Sequence, residues 1–232
     1  LLKNRLTLLA VLTVLITLFL DQWLKLWVKT HMTLDQSFPV TDYFEIYFTE
    51  NAGMAFGWTW GGKIGKLALS LFRIIACVVI TIYLRRLILR KEKPLLIFTI
   101  AMILSGAAGN IIDSMFYGLL FNESIHEVAQ FMPEGGGYEG FLFGHVVDML
   151  HFPLFKGHYP DWFPFWGGQE FEFFRPIFNL ADAWISIGVI LLLLFHRRLF
   201  TEHPLEPRKP KEGEMQNPGE DNASDHVPFG NQ

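Results

Sequence analysis

Four long apolar runs, at about 6–28, 64–84, 94–117 and 177–195, constrain this 232-residue chain more than any other feature in it. Each approaches the ~20 residues an α-helix needs to cross the hydrocarbon core of a bilayer. The overall apolar share of 51% decides little, because a water-soluble domain of this length reaches it too. Its distribution in blocks is what decides. The expected class is an all-α membrane protein with four transmembrane helices.

The flanks of those runs predict an orientation. Lys3 and Arg5 precede the first run, Arg85, Arg86, Arg90, Lys91 and Lys93 fill the short link between the second and third, and Arg197 and Arg198 close the fourth. With an even number of crossings all three clusters fall on one side, which the positive-inside rule assigns to the cytoplasm. Both termini are then cytoplasmic, and the loops at about 29–63 and 118–176 lie outside. The first run is too long for a cleaved signal peptide and continues into Asp21-Gln22-Trp23-Leu24-Lys25 without a small-residue cleavage site, so a retained helix is expected. Cys77, the single cysteine, excludes an internal disulfide and reads as packing.

From Thr201 onward seven acidic residues face three basic ones, which accounts for the whole formal charge of −4. This stretch has little to bury and reads as a disordered cytoplasmic tail, 201–232, behind one four-helix domain, 1–200. No basic patch suited to nucleic acid is present.

Polar residues inside the apolar runs gather at one depth. Asp21 and Lys25, spaced i, i+4, sit in the outer third of the first run. Asn110 and Asp113 come near the outer end of the third, and Asn179 and Asp182 near the outer start of the fourth. Arg73 lies roughly 18 Å from Arg85 at 1.5 Å per residue, also toward the outer half. Each piece has a plain structural reading: a stabilising pair for Asp21 and Lys25, bonds between helices for the two asparagines, support for Asp113. Intramembrane carboxylates are costly, however, and a layer at one face points to a site open to the outer leaflet. Asp148, on the adjoining loop, offers Asp182 a partner. In the first outer loop, 44–49 alternates and is rich in β-formers, and Asn51-Ala52-Gly53 supplies turn chemistry, so a small, partly β extracytoplasmic element is expected there.

Five blocks together resemble the signature of the lipoprotein signal peptidase family, the type II signal peptidases. They are Asp21 with Lys25, Glu50-Asn51-Ala52-Gly53-Met54-Ala55-Phe56-Gly57, Gly109-Asn110-Ile111-Ile112-Asp113, Gly144-His145-Val146-Val147-Asp148 and Phe178-Asn179-Leu180-Ala181-Asp182. The resemblance implies an intramembrane aspartyl peptidase of the bacterial cytoplasmic (inner) membrane. It would remove the signal peptide from diacylglyceryl-modified prolipoproteins, cleaving before the lipidated cysteine on the extracytoplasmic side. Asp148 and Asp182 correspond to the family's catalytic pair. Asn51, Gly53, Asn110, Asp113 and Asn179 correspond to positions that shape or support the site, and Asp21 with Lys25 to a polar pair at the base of the first outer loop. Prolipoprotein and membrane lipids are the implied partners, with a monomer as the working unit and neither metal nor cofactor required.

Two departures stand out. The family usually carries Arg directly after the third-helix Asp, where this chain has Ser114; either that guanidinium's partner is absent or another base such as Arg175 substitutes. About thirty residues separate Ser114 from Gly144, where the family has a short link. This insertion and the segment after Asp148 are dense in aromatic, glycine and proline residues, and read as an interfacial anchor or as a lid over the substrate. Gly135-Gly136-Gly137 is expected to give the insertion local mobility.

Close carboxylates that cannot both ionise easily would share a proton and activate water, without assigning which Asp is acid and which base. Two other classes remain. A metal-dependent hydrolase would use His126, His145, His151 or His158, although no HExxH occurs. A proton-coupled transporter would use the buried carboxylates, although internal repeats are lacking.

Overall fold

The computed structural model describes residues 1–52, 62–173 and 175–200. Gly53 and the tail expected at 201–232 lie outside the described residues.

Among the described residues, three helices are long and apolar enough to cross a membrane: α1 (Leu2–His31), α2 (Gly62–Leu89) and α3 (Pro94–Ile112), which runs on to Leu120. Leucine, isoleucine and valine fill them, and Pro94 starts α3 in the first-turn position where its missing N–H costs nothing. Large side chains such as Phe19 on α1, Phe72 and Ile75 on α2 stay exposed. A belt of this size is intolerable in water and suits lipid. Along α1, Asp21, Lys25 and Lys29 are buried on one face at i, i+4 and i+8.

α3 is central and packs against α1, α2 and α5 (Leu180–Leu194). Close approach depends on small residues, as is usual between membrane helices. A methyl group at Gly106 would overlap the Ala181 carbonyl of α5. Beyond Ile112 the helix widens into a π-helical turn, Asp113–Tyr117, and ends in the short α4 (Gly118–Leu120). Apolar packing lines the end of the bundle away from the sheet through Leu6, Leu84, Ile97 and Leu199.

The fourth apolar run yields a shorter helix than its length suggests. Its first residues form strand β6 (Ile177–Phe178), Asn179 caps the helix, and α5 spans 15 residues, about 22 Å. A break at Phe195 separates it from α6 (His196–Phe200).

The β element is present and larger than the first loop alone. Strands β1 (Ser37–Thr41), β2 (Phe44–Asn51), β3 (Val146–His151) and β6 form an antiparallel sheet in the order β1-β2-β3-β6. Thr49 opposes Asp148, and Leu150 opposes Phe178. The strand bearing Asp148 is thereby hydrogen-bonded to the strand that leads into the helix bearing Asp182. Val28, Phe48, Tyr117, Phe121, Val147 and Met149 pack beneath the sheet.

The long insertion folds into this core through Phe121 and Ala129, 0% and 4% exposed. In its glycine run a Cβ on Gly137 would strike the backbone of Gly118 and Leu119, while Gly135 and Gly136 face open space. The segment after Asp148 forms a hairpin, β4 (Phe155–His158) with β5 (Glu170–Phe173). Its tip stacks Tyr159 on Phe163 and leaves Trp162 and Phe165 exposed.

Candidate active site

The site forms where the helix bundle meets the four-stranded sheet. Asp148 projects from β3 and is 3% exposed. It accepts from Asn179 Nδ2 at 2.6 Å and from the Asn51 side chain. Asp182 sits three residues after the helix cap and accepts from Asn110 Nδ2 at 2.8 Å. Asn179 is that cap: its Oδ1 accepts from the Asp182 backbone N–H at 2.9 Å, a standard way of satisfying a helix start. Its Nδ2 also reaches Asn110 Oδ1 at 3.1 Å. Two amides thus couple the carboxylates.

Burial pushes the Asp148 carboxyl up to about 7, and the charge of Asp182 adds to the shift. Lys25 and the hydrogen bonds from Asn179 and Asn51 oppose it. A proton is therefore available on Asp148 near neutral pH, and Asp182 is close enough to influence where it resides.

Beneath the pair lies a closed ionic layer. Lys25, 0% exposed, bonds Asp21 at 3.0 Å, Asp113 at 2.7 Å and Asn110 Oδ1 at 2.9 Å, which engages all three donors of its ammonium. Asp21 Oδ1 accepts from the Ala181 N–H at 2.8 Å, tying α1 to the start of α5. Gln22, which sequence reasoning passed over, donates to Asp113 Oδ1 at 2.9 Å and accepts from Tyr117. Asp113 and Asp21 thus both pair with the same buried ammonium.

A second buried cation was not anticipated. Lys29 pairs with Glu50 and donates to Ser124 of the insertion at 2.7 Å. The rings of Tyr138, Phe48 and Phe121 surround it at 5.0–5.9 Å. His145 Nδ1 approaches Glu50 at 3.2 Å. Burial alone would raise the Glu50 carboxyl, but the His145 hydrogen bond and the Lys29 charge hold it below its ordinary value. The i, i+4 step from Lys25 to Lys29 was the available signal; its partner 21 residues away was not.

The four histidines do not converge. His145 meets Glu50, His151 meets Glu45 at 2.7 Å, His158 meets Glu170 at 3.5 Å and His126 is exposed. Among the described residues no three His, Cys, Asp or Glu side chains are grouped to hold a metal. A groove of about 460 Å³ between α1 and α2, beside Lys3 and Arg85, lies at the opposite end of the bundle from the carboxylates.

Comparison with known proteins decides the family. The model of signal peptidase (SPase) II matches residues 13–198. The chain belongs to the signal peptidase II family. A lipoprotein signal peptidase of Porphyromonas gingivalis is 51% identical over 80% of this chain and 81% of its own length. One from Amoebophilus asiaticus is 36% identical over 83% and 78%. Two solved structures described as bacterial membrane enzymes share the fold, with TM-scores of 0.53 and 0.51 and 22% and 26% identity. They cover 86% and 80% of this chain and 94% and 90% of their own chains.

Of the positions that the family resemblance singled out, Asp21, Lys25, Asn51, Asn110, Asp113, Asn179, Asp148 and Asp182 occupy this one locus. Gly53 lies outside the described residues. Of the two alternatives left open at Ser114, a substitute base is the one with a contact: Arg73 Nη1 reaches the Ser114 hydroxyl at 3.4 Å, while Arg175 is exposed ahead of β6.

Proposed function

We propose that this signal peptidase II is an intramembrane aspartyl endopeptidase that removes signal peptides from diacylglyceryl-modified bacterial prolipoproteins, cleaving before the lipidated cysteine. The supporting observation is the Asp148–Asn179–Asn110–Asp182 chain of hydrogen bonds. Amides that hold two carboxylates on separate elements leave an acid and a base facing one substrate. The ionised member takes a proton from water as the water oxygen bonds to the scissile carbonyl carbon. The protonated member gives its proton to the carbonyl oxygen, and a gem-diol results. Its collapse breaks the C–N bond and returns a proton to the leaving amine, restoring both carboxyls.

On this reading α5 is the fourth crossing, both termini are cytoplasmic, and the site faces outward in the inner membrane. The basic flanks support that orientation. The layer of Lys25, Asp21 and Asp113 supports the pair without taking part in bond changes, and Asn51 binds substrate backbone beside Asp148. The enzyme works as a monomer among lipids.

Incubating the purified protein with diacylglyceryl-modified and unmodified prolipoprotein, and weighing the products, tests this. Cleavage of the modified form alone, one bond before the lipidated cysteine, is expected. Equal cleavage of both forms, or cleavage elsewhere, would remove the lipid from the recognition.

A further inference from the structure

No step above uses the groove between α1 and α2. Its volume, about 460 Å³, is within the range of about 300–1,000 Å³ typical of small-molecule sites. The two helices pack chiefly on α3 and little on one another, so they part above Leu104 of α3, which helps line the gap. Ala10 and Leu84, both buried, and the half-buried Val14 form its depth. Its polar lining is Lys3, Thr7, Thr81 and Arg85. The two hydroxyls are turned back on their own helices. Thr7 Oγ1 donates to the Lys3 carbonyl at 2.9 Å, and Thr81 Oγ1 to the Cys77 carbonyl at 2.7 Å. The groove therefore offers hydrocarbon walls and two cations.

Those cations are unclaimed. Among the described residues no carboxylate pairs with Lys3 or Arg85, and no acidic side chain lines the groove. Lys3 is in the first turn of α1, and Arg85 is four residues before the end of α2 at Leu89, so both stand toward one end of the bundle. From Lys3 to Leu15 the lining follows α1 for about 18 Å, close to the ~15 Å of hydrocarbon in one leaflet. Water in so apolar a gap would lack partners, and in a bilayer hydrocarbon chains are at hand to fill it. The charge at its mouth selects among their owners. A signal peptide begins with a positively charged segment, which Lys3 and Arg85 would repel. A zwitterionic lipid brings its own ammonium beside two cations. A lipid of net negative charge brings a phosphate with no such penalty.

We propose that this groove binds an acidic glycerophospholipid of the leaflet at this end of the bundle, with an acyl chain laid between α1 and α2 and the headgroup phosphate on Lys3 and Arg85. On the orientation proposed above, that leaflet is the cytoplasmic one. The Arg85 fork and the Lys3 ammonium donate to phosphate oxygens, while their stems cover apolar wall and carry the charges to the surface. The bound chain joins two helices that otherwise meet chiefly through α3.

The test is retention of lipid by the full chain. Purified protein is equilibrated in vesicles of equal amounts of phosphatidylglycerol and phosphatidylcholine with matched acyl chains, then released and weighed intact with its bound lipid. The unaltered protein should retain phosphatidylglycerol in preference. A basic side chain near a membrane surface strengthens binding of an acidic lipid about 5-fold, so Lys3→Gln with Arg85→Gln should lower retention roughly 25-fold. Arg5→Gln with Arg86→Gln removes two cations from the same helix ends but outside the lining, and should lower it less than about 2-fold. Thr7→Phe with Val11→Phe fills the groove, leaves every charge in place, and should abolish the preference. Where the first double variant fails to insert, Lys3→Gln and Arg85→Gln alone serve, at about 5-fold each. Equal retention of the two lipids by the unaltered protein overturns the proposal, as does equal loss in the two charge variants or no loss on filling the groove. Displacement by soluble glycerophosphoglycerol would make this a free-phosphate site, and displacement by prolipoprotein a seat for the signal peptide; either result overturns the lipid assignment.

Discussion

Asn179 donates to Asn110 across 3.1 Å, and each of these two amides also holds one aspartate. Asn110 comes from the end of α3 and Asn179 from the cap of α5, so the contact fixes the spacing of carboxylates borne by β3 and α5. Removing either amide breaks the coupling while sparing both carboxyls. Asn110→Ala and Asn179→Ala should each lower kcat by about 10²-fold, in line with misplacement of reacting groups. Asn179→Asp keeps a capping oxygen and should preserve the thermal transition better than Asn179→Ala without recovering turnover. Recovery of turnover by Asn179→Asp would assign Asn179 to capping alone.

Asp148 gives a stability signature with a definite sign. Its folded value, about 7, is above the ordinary 3.8. The folded protein therefore retains a proton that the unfolded chain has lost between those values. Stability from this group is full below about pH 4 and falls as pH rises toward 7, by up to roughly 4 kcal/mol. Asp148→Asn, which cannot ionise, should raise the unfolding temperature at pH 8 and leave it nearly unchanged at pH 4. An equal shift at both values would show that ionisation of Asp148 carries no such cost.

Lys29 and Glu50 join the insertion to the bundle, through Ser124 and the Tyr138 ring. Breaking a buried ion pair leaves an uncompensated charge, typically a cost of about 3–5 kcal/mol. Lys29→Met should lower the unfolding temperature sharply, and adding Glu50→Leu should recover part of the loss. Excising about 122–137 should destabilise the protein as Lys29→Met does, because it removes Ser124. Thermal unfolding in detergent checks all three, and an unchanged transition in Lys29→Met would make the cluster ornamental.

Much of this was legible from the chain. The apolar runs marked the helices because lipid accepts leucine on every face, and the alternation at 44–49 marked β2. The asparagine and aspartate pairs at i, i+3 marked residues that come together in the candidate site, because such residues are costly in apolar segments. What was not legible depends on contacts distant in sequence. α1 continues through Lys29 because Glu50 and Ser124 neutralise and bond that ammonium, partners no helical period reveals. The π-helical turn at Asp113 leaves no mark on the hydrophobic pattern. The fourth run looked long enough to span, yet its first residues pair with β3 as β6 before Asn179 starts the helix. Helical rise put Arg73 level with the polar residues of the neighbouring runs, but its contact with Ser114 needed the packing of α2 on α3.

The most direct measurement of the central claim is single-turnover cleavage of diacylglyceryl-modified prolipoprotein by Asp148→Asn and by Asp182→Asn, each confirmed folded in lipid by its unfolding transition. Both should bind substrate and lose cleavage by at least about 10³-fold, because neither an acid nor a base alone completes the proton transfers. Retention of cleavage within tenfold of the unaltered protein by either folded variant would contradict the aspartyl pair.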